Sequence, residues 1–399
     1  MLRMIIEPVI RQNIAIHAHP LGCRKNVLNQ IEAVSERPPV TDRKLNVLVV
    51  GGSSGYGLAS RIVLGFSARA YTCNVSFERG PKGKMTGSAG FYNNYYYGEF
   101  ARERGIEADD LNGDCFSHEM KEDVISLLKS KGKKVDLLIY SVASGMRIDP
   151  DTKEKYTSVL KPVEKPYTGL TVDIGSGILQ EKILEPASKE EIASTVKVMG
   201  GEDYLLWARA LESAGLWNEN AVAVTYTYVG TPFTYDIYKN GTIGFAKRDL
   251  EDSGKKIQII LDSFNGKSVV CSSKTVVTKA SVFIPAVALY AGALFRIMRE
   301  KKTHESIVEH KYRLFRDMIF GDRPVLDDDG LLRLDHYELD EDTQRKVGEL
   351  LEKTDPENFS GLVDFPFFKH EFLAMNGFDL PGIDYSEDVD MTVYTANDG

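Results

Sequence analysis

Asn46–Gly52, NVLVVGG, is a run of β-branched and apolar residues that ends in glycines. A strand buried on both faces of a parallel sheet carries this pattern, because neither side of its pleat meets water. A helical period follows over Tyr56–Arg69, then a second strand, TCNVSFE, over Thr72–Glu78. A helix over Asn93–Arg104, a short strand over Ile106–Leu111, a helix over His118–Lys131 and the strand VDLLIYSVAS over Val135–Ser144 come next. This alternation predicts an α/β fold of Rossmann type: a doubly wound, mostly parallel sheet with helices on both faces.

Residues 146–186 break the pattern. They hold KPVEKPYTG and VDIGSG without a helical period, and they read as an inserted hairpin or flap. Helices return over Lys189–Val198 and Asp203–Ala214, followed by the strand Ala221–Gly230 and a helix over Thr242–Ser253. IQIILDS (257–263) and KSVVCSS (267–273) are further strand candidates. Ser281–Arg299 predicts a largely apolar helix, and the alternation in PVLDDDGLLRLDHYEL (324–339) predicts a hairpin. With no repeat and no low-complexity linker, one enlarged domain is expected over 1–399. It comprises an extension (1–45), a dinucleotide-binding and catalytic core (46–300) with the 146–186 flap, and a C-terminal addition (301–399) of helices and the hairpin.

Composition removes several classes. Hydrophobic content of 43% and charged content of 27% match a soluble globular protein. A net charge of −9 argues against a nucleic-acid or anionic-membrane partner. The longest apolar run, Val282–Phe295, contains Pro285 and is too short to span a bilayer. The N-terminal MLRMIIEPVIRQNI is interrupted by Glu7 and Arg11 and lacks a secretory core. Cys23, Cys73, Cys115 and Cys271 lie far apart with no CxxC, so free thiols in a reducing cytoplasm are expected. A monomer is expected.

GGSSGYGLAS (Gly51–Ser60) follows a strand and opens a helix. Gly51, Gly55 and Gly57 let the backbone turn sharply, admit a pyrophosphate and aim a helix N-terminus at it. Gly52, Ser53, Ser54 and Tyr56 complete the turn. Glu78 ends the second strand, where an acid accepts from both adenosine ribose hydroxyls and repels a 2′-phosphate; NADH is favoured over NADPH. Arg79, Lys82 and Lys84 follow it and soften that exclusion. Asp114 is placed by topology near the adenine, and Val142–Ala143 near the nicotinamide. The pair His17 and His19 has no metal partners nearby, and the acidic turn Asp327–Asp329 fails the calcium-loop pattern, so no metal is expected. Tyr92 and Tyr95–Tyr97 suit a substrate channel and an ordinary amphipathic helix about equally.

TYDIYKNGTIGFAK (234–247) offers two tyrosine–lysine pairs. Tyr235 and Lys239 have the four-residue spacing that puts both on one helical face, as in common short-chain carbonyl reductases. Pro232 before them and Asn240–Gly241 after them instead mark a loop, with Thr242 as the expected N-cap. Tyr238 then lies in the loop and Lys247 on the helix. The residues alone leave both pairs open.

The chain resembles the FabV-type trans-2-enoyl reductases nearly end to end. The strings that carry the resemblance include NIAIHAHPLGC, GGSSGYGLASR, FYNN, NGDCFS, DLLIYSVAS, TVKVMGGEDYLLW, YKNGTIGFAK, KTVVTKAS and HEFLAMNGFD. It implies reduction of trans-2-enoyl-coenzyme A or acyl-carrier-protein thioesters by NADH in fatty acid biosynthesis, by direct hydride transfer without flavin or metal. It implies Tyr238 as proton donor, Lys247 on the cofactor ribose and Tyr228 as a substrate contact. It also implies cofactor contacts from Gly51–Tyr56, Phe77–Glu78, Asp114–Cys115, Val142–Ala143 and Val276, Val277 and Thr278. Gly145 stands where the family commonly has proline, which is expected to loosen the loop after the fourth strand. Two other readings compete: a carbonyl reductase using Tyr235 and Lys239, and a non-catalytic NADH-sensing protein.

Overall fold

The computed structural model describes residues 3–394. Seven strands make the central sheet: β1 (Asn46–Val50), β2 (Tyr71–Ser76), β3 (Ala108–Asn112), β4 (Val135–Tyr140), β5 (Trp217–Thr227), β6 (Lys267–Ser272) and β7 (Leu332–Arg333). They lie in the order β7-β6-β5-β4-β1-β2-β3, and every neighbouring pair is parallel. The α/β Rossmann-type fold expected from the alternation is therefore present. The strand order reverses between β1 and β4, the point at which doubly wound sheets bind ligand beyond the carboxyl ends of their strands.

The two strands at the centre are largely apolar because both their faces are covered. Val47, Val49, Leu137 and Ile139 enter one core, while Leu48, Val50, Leu138 and Tyr140 enter the opposite one. Each such side chain contributes roughly 1.5–3 kcal/mol when taken from water. The main helices are α1 (Pro20–Ser35), α2 (Gly55–Ile62), α3 (Ala89–Glu103), α4 (His118–Ser130), α5 (Lys189–Met199), α6 (Glu202–Ser213), α7 (Thr242–Asp262), α8 (Val287–Glu300), α9 (Ile307–Arg313) and α10 (Glu341–Glu352). Helices α1, α2, α3 and α9 supply the first core, and α4, α6 and α7 the second. A third core joins α8 to the C-terminal segment. Among the described residues no helix is long and apolar enough to cross a membrane.

Three sequence expectations need correction, and the hairpin expected over 146–186 proves to be two. IQIILDS is not a strand but the last part of α7: Ile257 and Leu261, one helical turn apart, are buried, while Ile259 is 71% exposed. The 146–186 segment holds two antiparallel hairpins, Met146–Ile148 with Lys155–Thr157 and Tyr167–Asp173 with Ile178–Leu184. The 324–339 stretch closes only one antiparallel bridge, Leu326 with Leu332. Its Leu332–Arg333 instead pairs with Cys271–Ser272 and covers the open edge of β6. The apolar helix splits at Pro285: a single turn over Ser281–Phe283 precedes α8, with Ala286 at φ +64° between them. In addition, β2 and β4 end at Ser76 and Tyr140, which leaves Glu78 and Val142–Ala143 in loops just beyond the strand ends.

Candidate active site

The glycine turn between β1 and α2 is built for close approach. Gly51 has φ +91°, and a Cβ there would meet the Ser141 carbonyl oxygen at 2.3 Å. A Cβ on Gly57 would lie 2.0 Å from the Gly51 oxygen. The Gly52 N–H donates to Asn74 Oδ1 at 2.9 Å. Asn74 in turn donates to Asp110 at 2.8 Å, and the fully buried Arg61 grips Asp110 through two nitrogens at 2.7 and 2.9 Å. Ser54 caps α2 in extended conformation without a side-chain hydrogen bond, so the first-turn N–H groups stay open to an anion. A Cβ on Gly55 would touch Thr278 at 3.5 Å, so Thr278 borders the turn. Turn, helix terminus and acid beyond β2 together fit a dinucleotide.

Glu78 sits at that acid position, but its carboxylate is already engaged. It accepts the Ser53 hydroxyl at 2.6 Å and the Ser88 hydroxyl, with the Lys279 ammonium 3.7 Å away. The adjacent Phe77 is 79% exposed and presents a bare ring. Asp114 accepts the Phe116 N–H at 3.0 Å, and the Cys115 carbonyl takes Lys121 at 2.9 Å and Trp207 at 3.1 Å. Both residues stay partly exposed beyond β3.

Residues 231–241 are a succession of turns, and α7 begins at Thr242. Gly241, not Thr242, takes the N-cap, because the Thr242 hydroxyl donates instead to the Val159 carbonyl. The Gly244 N–H donates to the Tyr238 carbonyl at 3.0 Å, tying the loop to the helix. Tyr238 is 7% exposed, and among the described residues its hydroxyl has no hydrogen-bond partner. Burial pushes its phenol up from the ordinary value, and Glu251 adds to this. Lys247 donates to the Tyr226 carbonyl at 2.9 Å; burial lowers its ammonium to about 8, against the pull of Glu251. Lys247 does not lower the Tyr238 phenol: burial prevails and the phenol keeps its proton. Tyr235 and Lys239 do stand together, the ammonium 4.7 Å from the ring centroid, with Lys239 exposed.

Tyr228 lies just past β5, its ring 5.0 Å from that of Tyr238 at 82°. Its hydroxyl donates to Glu338 at 2.9 Å and accepts from Thr275 Oγ1 at 2.8 Å. Glu338, Thr275, Tyr290 and Glu251 were not legible as site residues. Glu338 sits in the stretch that reads as a hairpin, and only the tertiary fold brings it to β5. Lys311 was missed as well. It is fully buried over the rings of Tyr56 and Tyr226 at 4.1 and 3.8 Å, and burial lowers it to about 7.

The channel reading of the tyrosines on α3 fails. Tyr92, Tyr96 and Tyr97 are buried, and Tyr92, Tyr95 and Tyr96 pack edge-on against Tyr394, because their helix faces the first core. His19 serves as the N-cap of α1, accepting the Gly22 N–H at 3.2 Å. Among the described residues no three His, Cys, Asp or Glu side chains are grouped to hold a metal.

Comparison with known proteins gives this geometry a family. The catalytic region of trans-2-enoyl-CoA reductase matches residues 85–320, and the NAD(P)H binding domain of that enzyme matches residues 5–83. An enoyl reductase FAD binding domain matches residues 326–389. The chain is 45% identical over 389 residues to the trans-2-enoyl-CoA reductase [NADH] of Clostridium perfringens strain SM101, covering 98% of this chain and 100% of that one. It is 43% identical over 390 residues to the enoyl-[acyl-carrier-protein] reductase [NADH] of Idiomarina loihiensis, with the same coverage. The crystal structure of Treponema denticola trans-2-enoyl-CoA reductase in complex with NAD is 42% identical, with a TM-score of 0.92 over 97% of this chain and 98% of that one. The chain belongs to the trans-2-enoyl-CoA reductase family.

Proposed function

We propose that this protein reduces the C2=C3 double bond of trans-2-enoyl thioesters, carried on coenzyme A or acyl carrier protein, using NADH. The observation that carries the reading is the contrast between the two facing tyrosines. Tyr238 is buried, protonated and uncommitted, while the Tyr228 hydroxyl is held by Glu338. The bound dinucleotide supplies a hydride to the β-carbon of the substrate. The electron pair of the double bond moves to the thioester oxygen as an enolate, and a donor aimed there favours the transition state. Tyr238 is that donor, directly or by passing its proton to the α-carbon, and solvent restores it. Lys247 holds the cofactor ribose and adds positive potential, and Tyr228 contacts the substrate. The turn Gly51–Tyr56, with Phe77–Glu78, Asp114–Cys115, Val142–Ala143 and Val276–Thr278, lines the cofactor.

The hydride passes without flavin. Residues 326–389 open on the acidic turn Asp327–Asp329, which repels a pyrophosphate, and Glu338 within them is turned toward Tyr228. Against the carbonyl-reductase reading, Lys239 lies exposed on the Tyr235 ring rather than beside a buried phenol. The four cysteines are free thiols, which suits a cytoplasmic enzyme. The test is NADH oxidation with crotonyl-CoA, longer enoyl-CoA esters and an enoyl-acyl carrier protein, in wild type, Tyr238→Phe and Tyr235→Phe. Loss of a transition-state donor costs about 10²–10³-fold in kcat, and that loss is expected for Tyr238→Phe alone. NADH binding without oxidation of any of these substrates favours the cofactor-sensing alternative.

A further inference from the structure

Glu338 follows β7 and is fully buried. Three donors and a further hydroxyl oxygen surround its carboxylate. Oε2 accepts the Thr275 N–H at 2.5 Å, and Oε1 faces the hydroxyls of Tyr290, Tyr228 and Thr275 at 2.8, 2.9 and 3.0 Å. Gln344, on α10, donates to the Tyr290 hydroxyl at 3.0 Å and to the Glu338 carbonyl at 2.7 Å. Among the described residues no cation lies at ion-pair distance from this carboxylate. The charged and titratable groups that face it are Tyr228, Tyr290, Tyr56 and Lys274.

A buried carboxylate is expensive unless every lone pair is satisfied, and an apolar residue of similar size would serve packing better. The hydrogen inventory shows what an acid does here. Tyr290 accepts from Gln344, so its own hydrogen points at Glu338. Thr275 can give its hydroxyl hydrogen to the Tyr228 oxygen, and Tyr228 then gives its own to Glu338. That chain orients the Tyr228 hydroxyl and removes its one hydrogen from proton transfer. The anchored ring stands edge-on to Tyr238.

We infer that Glu338 is a positioning residue of the reductase reaction: by holding Tyr228 and Thr275 it fixes the ring that seats Tyr238, leaving Tyr238 the sole proton donor. The inference rests on the proposed role of Tyr238. It assigns to the C-terminal segment a part in the chemistry made on β5 and α7.

The test is a double-mutant cycle on the full-length enzyme. The Thr275 N–H requires an oxygen at Oε2, so in Glu338→Gln the amide nitrogen faces the tyrosines and turns an acceptor into a donor. Expected is a fall in kcat of about tenfold or more, the scale on which misplaced catalytic groups lose rate, with the KM for NADH within twofold. In the Tyr238→Phe background the same change causes no further fall, because nothing remains to be positioned. Tyr228→Phe keeps the ring and removes the anchored hydroxyl. It is expected to match Glu338→Gln within about threefold and to be equally non-additive with Tyr238→Phe; it stands in if Glu338→Gln does not fold. Unchanged kcat, or equal losses in both backgrounds, overturns the inference. Wild type that fails to oxidise NADH with enoyl thioesters, or Tyr238→Phe that retains turnover, overturns the reading beneath it and this inference with it.

Discussion

Lys247 gives the proposed site a pH signature. Burial lowers its ammonium to about 8, and Glu251 opposes that without cancelling it. With a single site near 8, roughly nine-tenths of the enzyme carries the charge at pH 7 and about one-tenth at pH 9. Tyr238 is shifted the other way and stays protonated across this range. If the charge on Lys247 holds the cofactor, kcat/KM for NADH is flat below about pH 7 and falls tenfold per unit above about pH 9, with one proton lost. Stability moves oppositely. The unfolded chain keeps this proton up to the ordinary lysine value while the native protein sheds it near 8, so Lys247 makes the fold more stable as pH rises through that window. The Lys247 contribution to stability therefore runs opposite to the loss of rate in this window. The assay is initial-rate NADH oxidation with crotonyl-CoA from about pH 6 to 10, with Lys247→Arg as control, because a guanidinium does not titrate there. A profile flat to pH 9 in wild type refutes the reasoning, and so does the same step surviving in Lys247→Arg.

Glu78→Gln should narrow the preference for NADH over NADPH by removing the charge beside Ser53 and Ser88, read as the ratio of kcat/KM values; wild type that uses both cofactors equally removes Glu78 from this role. Arg61→Met leaves Asp110 with Asn74 alone and should cost about 3 kcal/mol, measured by urea unfolding, with NADH affinity falling as the Gly52 brace loosens. A loss under about 1 kcal/mol would show the pair to be an ordinary surface bridge. Gly57→Ala should abolish NADH binding, read by fluorescence titration, because the 2.0 Å approach to the Gly51 oxygen leaves no room for a methyl group; normal affinity would mean that the turn relaxes freely. Gly145→Ala should be neutral or stabilising by about 0.4–1 kcal/mol in thermal melting, since its Cβ would meet nothing within 4 Å and its φ is not positive.

Where the pattern is periodic and the element buried on two sides, the sequence read true. Past Asn46, NVLVVGG carries no polar side chain, and in VDLLIY only Asp136 is charged, because both sheet faces are covered there. The loop placement of Tyr238 followed from Pro232 and Asn240–Gly241, which act locally. IQIILDS failed because four apolar residues in five look alike in a strand and on a buried helix turn; the deciding fact, that Ile259 faces water, is tertiary. The 324–339 stretch alternates as a hairpin strand does, and only the open edge of β6 turned it into a parallel neighbour. Glu338 was hidden for the same reason. A lone acid in HYEL reads as solvated, and its partners Thr275, Tyr228 and Tyr290 are 48–110 positions away.

The distance along the chain between Tyr228 and Glu338 also bears on biosynthesis. The strands that carry the cofactor turn and both tyrosines leave the ribosome before the segment that anchors Tyr228, and the pairing of Tyr96 with Tyr394 is completed later still. A nascent chain can thus assemble its nucleotide cradle while its donor tyrosine lacks its support. The same late segment also supplies Leu332, Phe378 and Tyr394 to the first core and Val347, Phe365 and Phe368 to the third, so the two cores close only when the end of the chain arrives.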